Sequence, residues 1–104
     1  MKILGVTSCP SGVAHTYMAA EALKKAAIAK GHTVKVETQG SIGTENEITM
    51  DDVKEADVIV LTKDVSLANL ERFDGKPTVK VAISDVVKKS NAIIEKIEQA
   101  FKNR

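Results

Sequence analysis

The chain has 104 residues, of which 43% are hydrophobic and 28% charged, and its formal net charge is +1. This length predicts one domain over residues 1–104, and the balanced charge and scarce aromatic residues argue against nucleic-acid binding. No apolar run is long enough for a membrane-spanning helix. With Cys9 as the only cysteine, no intramolecular disulfide can form, so a reducing, cytoplasmic setting fits best.

The first part of the chain predicts a strand, a helix and a second strand. Residues 3–7 form a short apolar run that ends in turn-forming residues. A helical pattern follows, and Gly31 is a suitable residue to stop it. Residues 33–38 alternate in a way that is typical of a strand. The apolar face of the predicted helix between these two strands consists of Met18, Ala19, Ala22, Leu23, Ala26 and Ala27.

The second part of the chain predicts two more strands, over residues 58–61 and 79–83. The predicted helices are a short one over residues 50–55 after the cap Thr49, a second short one over residues 66–70, and a long one after the cap Ser84.

Strands that alternate with helices predict an α/β fold, a three-layer sandwich whose four-stranded parallel sheet has the order 2-1-3-4. This order places a topological switch point between strands 1 and 3, and ligands of such folds bind at the carboxyl ends of the strands beside that point. The loop that starts at Cys9 follows strand 1, and the loop over residues 62–65 follows strand 3. A functional site is therefore expected where these two loops meet.

Residues 8–16 read Ser-Cys-Pro-Ser-Gly-Val-Ala-His-Thr and lie between a predicted strand and a predicted helix. The unpaired N–H groups and the dipole of a helix start bind anions, and the same field favours the thiolate form of a cysteine. Gly12 lets the backbone approach a ligand closely. Hydroxyls of Ser8, Ser11 and Thr16 could donate to phosphate oxygens. Cys9 is therefore a candidate nucleophile, although a single cysteine is often just a small buried apolar residue.

Three other side chains have open roles. His15 either contacts a bound phosphate or thiol, or only orients the loop. Asp64 either steers a partner or holds its own loop, unless it is a plain exposed carboxylate. Arg72 either contacts a phosphate or a partner, or forms a surface salt bridge.

The spacing of Cys9 and His15 matches the Cys-x5-Arg loop of tyrosine phosphatases, with histidine in the arginine position. Histidine cannot clamp a phosphate through two parallel hydrogen bonds, as arginine does. The sequence also has no Asp-Pro pair to supply the usual general acid. The loop therefore favours transfer of a phosphoryl group over its hydrolysis.

The segment over residues 9–21, Cys-Pro-Ser-Gly-Val-Ala-His-Thr-Tyr-Met-Ala-Ala-Glu, resembles the active-site segment of fructose-type enzyme IIB of the bacterial sugar phosphotransferase system (PTS). The resemblance covers nearly the whole chain. It extends to residues 37–41 with Gly43 and Asn46, to residues 56–59, and to Arg72-Phe73 with Gly75-Lys76. Ser11 stands where many members have threonine, and it keeps the hydroxyl.

The resemblance implies that Cys9 accepts a phosphoryl group from a phosphohistidine of enzyme IIA. Cys9 then passes it to fructose or a similar sugar that the membrane enzyme IIC holds, at the cytoplasmic side of the membrane and without direct membrane insertion. The resemblance implies neither a cofactor nor a metal. The start at Met1 and the polar tail over residues 102–104 favour a free-standing subunit. The implied phosphate loop is Pro10, Ser11, Gly12, Val13, Ala14, His15 and Thr16, with Ser8, Asp64 and Arg72 as possible auxiliary residues.

Two other hypotheses remain at this point. A low-molecular-weight phosphatase or arsenate-reductase-like enzyme could use a similar cysteine loop, and it would turn over an aryl phosphate unaided. A non-catalytic regulatory module would bind its partner even without the thiol.

Overall fold

The computed structural model describes residues 1–9, 13–40 and 43–102. The strands are β1 Lys2–Thr7, β2 Thr33–Gly40, β3 Gly43–Glu45, β4 Val58–Thr62 and β5 Thr78–Val81. The helices are α1 Val13–Ala29, α2 Met50–Glu55 and α3 Ile83–Lys102, and a 3-10 turn spans Leu70–Phe73.

In the described part of the chain the sheet has five strands in the order β3-β2-β1-β4-β5. Strands β2, β1, β4 and β5 are parallel, so the predicted α/β class and the predicted order of those four strands are confirmed. The prediction of a purely parallel, four-stranded sheet is wrong, because β3 adds an antiparallel edge strand to β2. All three residues of β3 are exposed and none is apolar, so the sequence carries no strand pattern there.

Strand β1 lies at the centre of the sheet and sets how closely α1 approaches it. A Cβ atom at Gly5 would lie 2.8 Å from Cδ2 of Leu23, so glycine is what allows this close packing. Helix α1 ends where Gly31 adopts a φ of +82° and its N–H bonds to the carbonyl of Ile28. The chain then enters β2, parallel to β1 and at its side.

Helices cover both faces of the sheet and so form three layers. Helices α1 and α3 pack on one face, over a core that includes Ile3, Leu23 and Ile94. Helix α2 and the 3-10 turn cover the other face, around Leu4, Ile59 and other buried side chains. The Cys9 side chain packs against the first of these cores, so it lies on the α1–α3 side of the sheet.

Of two helix caps predicted from the sequence, one is confirmed and the other is wrong. Thr49 caps α2 as expected, and it forms a reciprocal capping box with Asp52. The prediction that Ser84 caps the long helix is wrong, because α3 begins at Ile83, whose N–H donates to Asp64. The capping acceptor therefore comes from a distant loop, where a local sequence pattern cannot show it.

The predicted helix over residues 66–70 is also wrong. Asn69 adopts the left-handed conformation, with φ of +60°, and the 3-10 turn Leu70–Phe73 begins after it. Asparagine tolerates this conformation better than most residues, and an α-helix cannot continue through it.

Candidate functional site

Cys9 follows β1 at the carboxyl edge of the sheet, and its side chain is half-buried. Helix α1 begins four residues later at Val13, so the cysteine lies between a strand end and a helix start as predicted. This position leaves the sulfur accessible and places it beside the positive end of a helix of 17 residues. Such a thiol can act as a nucleophile toward a partner that approaches from outside.

His15 lies in the first turn of α1 and is exposed. Its Nδ1 atom is 3.9 Å from the sulfur of Cys9. That distance is long for a strong hydrogen bond but short enough for the imidazole to contact a group bonded to the sulfur. Of the two roles considered for His15 from the sequence, contact with the thiol or with a phosphate on it fits this distance, and that role stays a prediction.

Asp64 reaches the same site from the loop after β4. Its Oδ1 accepts a 2.7 Å hydrogen bond from the N–H of Ile83, at the start of α3. Asp64, Cys9 and His15 line one open pocket, so the expected meeting of the two loops is present. Of the roles considered for Asp64, the structure places it as the residue that holds its loop to α3.

The pocket has two further polar neighbours, Ser84 and Lys88, neither of which the sequence analysis selected as a site residue. Both are exposed and lie on the first turns of α3. They are more than 70 positions from Cys9 along the chain, and no local motif connects them to it. Only the packing of α3 beside α1 brings an ammonium group to this pocket.

Hydroxyl groups fix the end of β1 to its neighbours. The backbone N–H of Ser8 donates to Oγ1 of Thr62 at 3.1 Å, and this hydroxyl lies 3.3 Å from the carbonyl of Ser8. The hydroxyl of Thr7 donates to the carbonyl of Thr16 at 3.2 Å. Thr16 is buried in α1, whereas Ala14 is exposed. Sequence reasoning missed Thr62, which holds the segment before the cysteine to β4.

Three members of the predicted phosphate loop, Pro10, Ser11 and Gly12, lie outside the described residues. Val13 is the first residue of α1. The contacts that these residues would make with a phosphoryl group stay predictions.

Arg72 is not among the residues that line the Cys9 pocket. Its guanidinium donates to both carboxylate oxygens of Glu37, at 2.8 and 2.6 Å, and to the carbonyl of Ile48 at 2.9 Å. Glu37 is 1% exposed, so this salt bridge is buried and not the surface pair considered from the sequence. Burial alone would raise the pKa of Glu37, but hydrogen bonds from Arg72, Gln39 and the N–H of Ile48 outweigh it and lower that pKa.

The described residues contain no cluster of three or more histidine, cysteine, aspartate or glutamate side chains that could hold a metal ion. Within the same residues, no helix has the length and apolar character needed to cross a membrane.

Comparison with known proteins agrees with the resemblance seen in the sequence. A family model described as "PTS system, Lactose/Cellobiose specific IIB subunit" matches residues 4–103. The "PTS system fructose-like EIIB component 2" of Escherichia coli K12 is 65% identical over 97 residues, which are 93% of this chain and 92% of that protein. The "PTS system fructose-specific EIIB'BC component" of Vibrio cholerae is 44% identical over 86% of this chain and 15% of that longer protein.

Solved structures show the same relationship. The solution structure of an enzyme IIB subunit of the PTS from Escherichia coli K12 superposes with a TM-score of 0.92, at 37% identity, over 98% of this chain and 94% of that one. A thioredoxin-dependent arsenate reductase of Corynebacterium glutamicum has a TM-score of 0.55 at 11% identity, over 97% of this chain and 61% of that one. The latter likeness concerns the fold alone. With a family model that spans nearly every residue and a relative that shares two thirds of its sequence, the chain belongs to the IIB subunit family of the sugar phosphotransferase system.

Proposed function

We propose that Cys9 is the phosphorylated residue of this phosphotransferase subunit, and that it carries the phosphoryl group between two protein partners. The donor is a phosphohistidine of an enzyme IIA, and the acceptor is a sugar held by a membrane enzyme IIC. The observation that carries the proposal is the half-buried thiol between β1 and α1, with the His15 imidazole 3.9 Å away. The whole chain, residues 1–104, acts as one domain in this role.

The proposed reaction has two displacement steps at phosphorus. In the first, the Cys9 sulfur attacks, a sulfur–phosphorus bond forms and the nitrogen–phosphorus bond breaks, and in the net reaction the thiol proton passes to the donor's histidine, which leaves as a neutral imidazole. In the second, a sugar hydroxyl attacks, an oxygen–phosphorus bond forms and the sulfur–phosphorus bond breaks, and in the net reaction the hydroxyl proton passes to the sulfur and restores the Cys9 thiol. Each step exchanges one leaving group for another, so the site mainly needs correct positioning and stabilisation of the phosphoryl charge.

The groups around Cys9 suit those two needs. Helix α1 directs its first N–H groups toward the loop, and such groups bind phosphoryl oxygens well. His15 can donate a hydrogen bond to the same oxygens from its place beside the sulfur. Arg72, in contrast, is bonded to Glu37 and Ile48, and we infer that it supports the fold instead of binding phosphate.

The sugar is inferred from the relatives. The most similar curated relative compared above is a fructose-like component, and the fused relative is fructose-specific, so we propose fructose or a fructose-like sugar. The family model's description names lactose and cellobiose instead, so the proposal of a fructose-like sugar rests on these two relatives. The fused relative joins IIB and IIC parts in one chain, which supports a IIC partner and a place at the cytoplasmic side of the membrane.

The test is phosphorylation of the purified chain by its cognate phosphorylated enzyme IIA, followed by intact-mass and peptide mass spectrometry. We expect one phosphoryl group on the wild type, located on Cys9, and none on the folded Cys9→Ser variant. An unchanged mass for the wild type, or a full phosphoryl gain on Cys9→Ser, would contradict the proposal. Turnover of an aryl phosphate by the chain alone would instead favour a phosphatase or arsenate-reductase-like activity.

A further inference from the structure

One face at the start of α3 is turned toward the cysteine loop. Ser84, Val87 and Lys88 are spaced by three and four residues, so they lie side by side on the surface of the helix. All three line the pocket that also contains Cys9. Lys88 is exposed, and of the described residues it is the only lysine or arginine that lines this pocket. The structure therefore places one ammonium group beside the cysteine.

The start of α3 has a direction of its own. The backbone of Lys89 departs from helical values, with φ of −132° and ψ of 28°, so the helix is kinked directly after Lys88. Before the kink, the first N–H of α3 donates to Asp64, and Val86 is fully buried. At the kink, the buried hydroxyl of Ser90 donates to the carbonyl of Val86. The segment that carries Lys88 is thus held at both ends, with its face toward the pocket.

The ammonium group of Lys88 is available to an anion in the pocket. Within the described part of the chain Lys88 forms no ion pair, although Asp64 lines the same pocket. Oδ1 of Asp64 instead accepts a hydrogen bond from the N–H of Ile83. An unpaired lysine at a surface indicates little by itself, so its place beside the cysteine carries the argument.

A phosphoryl group on Cys9 would need more positive charge than the loop provides. Such a group carries a charge close to −2 at neutral pH, as on a phosphorylated serine, and Asp64 adds a carboxylate to the same pocket. The start of α1 offers about half a positive charge. Residues 9–16 contain no lysine or arginine, and His15 stands where phosphatase loops have arginine. Lys88 brings the full positive charge that this loop lacks.

We propose that Lys88 binds the phosphoryl group on Cys9, as a cation that α3 supplies to the loop. The inference rests on the proposed function, since it needs a phosphorylated Cys9. It goes further by assigning part of the phosphoryl-binding site to a residue on another helix. Lys88 acts as a point charge, without the two parallel hydrogen bonds of an arginine. It stabilises the phosphoryl charge, takes no proton and forms no bond to phosphorus.

The first test is a ³¹P NMR titration of the phosphorylated chain after its separation from the donor. A cation beside the phosphoryl group favours the dianion, so Lys88→Met should raise the pKa of its second ionisation, with an ionisation constant about three- to tenfold lower. Lys88→Arg keeps the charge and should stay close to the wild type. Because no partner is present, a lysine that only contacts the donor would not change this pKa. An unchanged pKa in Lys88→Met would overturn the proposal.

The second test is the single-turnover rate of Cys9 phosphorylation at saturating phosphorylated enzyme IIA. Lys88→Met should lower this rate about tenfold, because less positive charge faces the phosphoryl group during transfer, and Lys88→Arg should restore most of it. Saturation removes the contribution of donor binding. A loss that appears only at low donor concentration, with the phosphoryl pKa of the wild type, would assign Lys88 to the donor interface and overturn the proposal.

Lys96→Met is the matched control. Lys96 is another exposed lysine of α3 that forms no ion pair among the described residues, but it lines a separate depression between β5 and α3. About two helical turns separate it from Lys88, and salt screens exposed charges over that distance, so the phosphoryl pKa and the rate should stay close to the wild type. Equal effects of Lys88→Met and Lys96→Met would overturn the proposal, because the overall charge of the chain would then explain both.

The wild type separates this inference from the proposed function. If wild-type Cys9 is not phosphorylated at saturating donor, the proposed function is rejected, and this inference is rejected with it. If the wild type is phosphorylated and Lys88→Met matches it in both tests, only the role of Lys88 is rejected. Urea denaturation of each variant should give the wild-type stability, because Lys88 and Lys96 are exposed.

Discussion

Two polar clusters lie near the carboxyl end of the sheet, and they differ in burial and in the length of their polar contacts. Around Cys9 the thiol is half-buried, His15 is exposed, and the contact between them is 3.9 Å. Around Arg72 the carboxylate of Glu37 is 1% exposed, and it accepts hydrogen bonds of 2.6 to 2.8 Å from Arg72, Gln39 and the N–H of Ile48.

The comparison shows that the accessible cysteine and the buried, tightly hydrogen-bonded cluster lie in different parts of the carboxyl edge. In the proposed role, the Cys9 thiol meets two partners in turn, and this requires an accessible site. The Arg72 cluster does the opposite, because it ties β2 to the 3-10 turn and to the segment before α2. Gln39 adds two more hydrogen bonds to this cluster. Its side-chain oxygen accepts from the N–H of Ala68, and its side-chain nitrogen donates to the carbonyl of Ala68. One half of the carboxyl edge is therefore held firmly, and the other contains the cysteine for which we propose a chemical role.

Removal of the buried Arg72 guanidinium is the most direct test of this difference between the two clusters. Arg72→Met keeps most of the side-chain volume but leaves the carboxylate of Glu37 buried without its cation. We expect a loss of about 3–5 kcal/mol in the free energy of unfolding, measured by urea denaturation. The rate of Cys9 phosphorylation by the folded fraction should change little, because Arg72 does not line the Cys9 pocket.

A surface salt bridge supplies the control. Lys30 and Glu95 lie 3.7 Å apart with both side chains well exposed, so Lys30→Met should cost at most about 1 kcal/mol. The double variant Arg72→Met with Glu37→Gln should regain part of the loss, because it no longer buries an uncompensated charge. If Arg72→Met lowers the free energy of unfolding no more than Lys30→Met does, the Arg72 cluster does not stabilise its part of the carboxyl edge.

The contribution of the Glu37 carboxylate to the free energy of unfolding should depend on pH. The pKa of Glu37 is lowered in the folded protein, so the unfolded state binds more protons as the pH falls. Its contribution to stability is then complete above the ordinary carboxyl pKa of about 4.3, and is lost as the pH falls through the lower, folded value. The stability difference between wild type and Glu37→Gln should therefore shrink between about pH 5 and pH 2.

Asp52 requires a separate control in that experiment. A hydrogen bond from Lys35, with others from Thr49, lowers the pKa of Asp52 as well. Asp52→Asn should remove its own part of the acid sensitivity and leave the part due to Glu37 in place. An acid dependence that is identical in the wild type and in Glu37→Gln would show that the buried pair does not contribute to it.

Much of the fold could be predicted from the sequence because its strong signals are local. The apolar runs at β1 and β4, the Thr49 capping box and the stop at Gly31 all act within a few residues. Strand β3 could not be predicted, because its exposed Gly-Thr-Glu residues gain their pairing only once β2 is in place. The start of α3 depends likewise on Asp64, 19 positions earlier.

The candidate site shows the same division. Cys9 and His15 could be chosen from the sequence, because a strand end and a helix start so close together define their setting. The burial of Arg72 could not be seen, because its partner Glu37 is 35 positions away. Lys88 was missed for a related reason, since it enters the Cys9 pocket only through the packing of α3.

The smallest expected effect concerns Asp64, which joins the reactive half of the edge to α3. Asp64→Ala removes the acceptor for the N–H of Ile83 and should cost about 1 kcal/mol of unfolding free energy, as loss of a helix cap does. Asp64→Asn keeps an acceptor oxygen and should cost less. Both variants remove a negative charge from the pocket that, in the proposed function, would receive a phosphoryl group. The loss of this charge should therefore not slow phosphorylation of Cys9. Urea denaturation and the phosphorylation rate measure the two effects separately. Equal destabilisation by Asn and Ala would mean that Asp64 acts through its charge and not as a hydrogen-bond acceptor. The attachment of the loop after β4 to α3 would then be electrostatic.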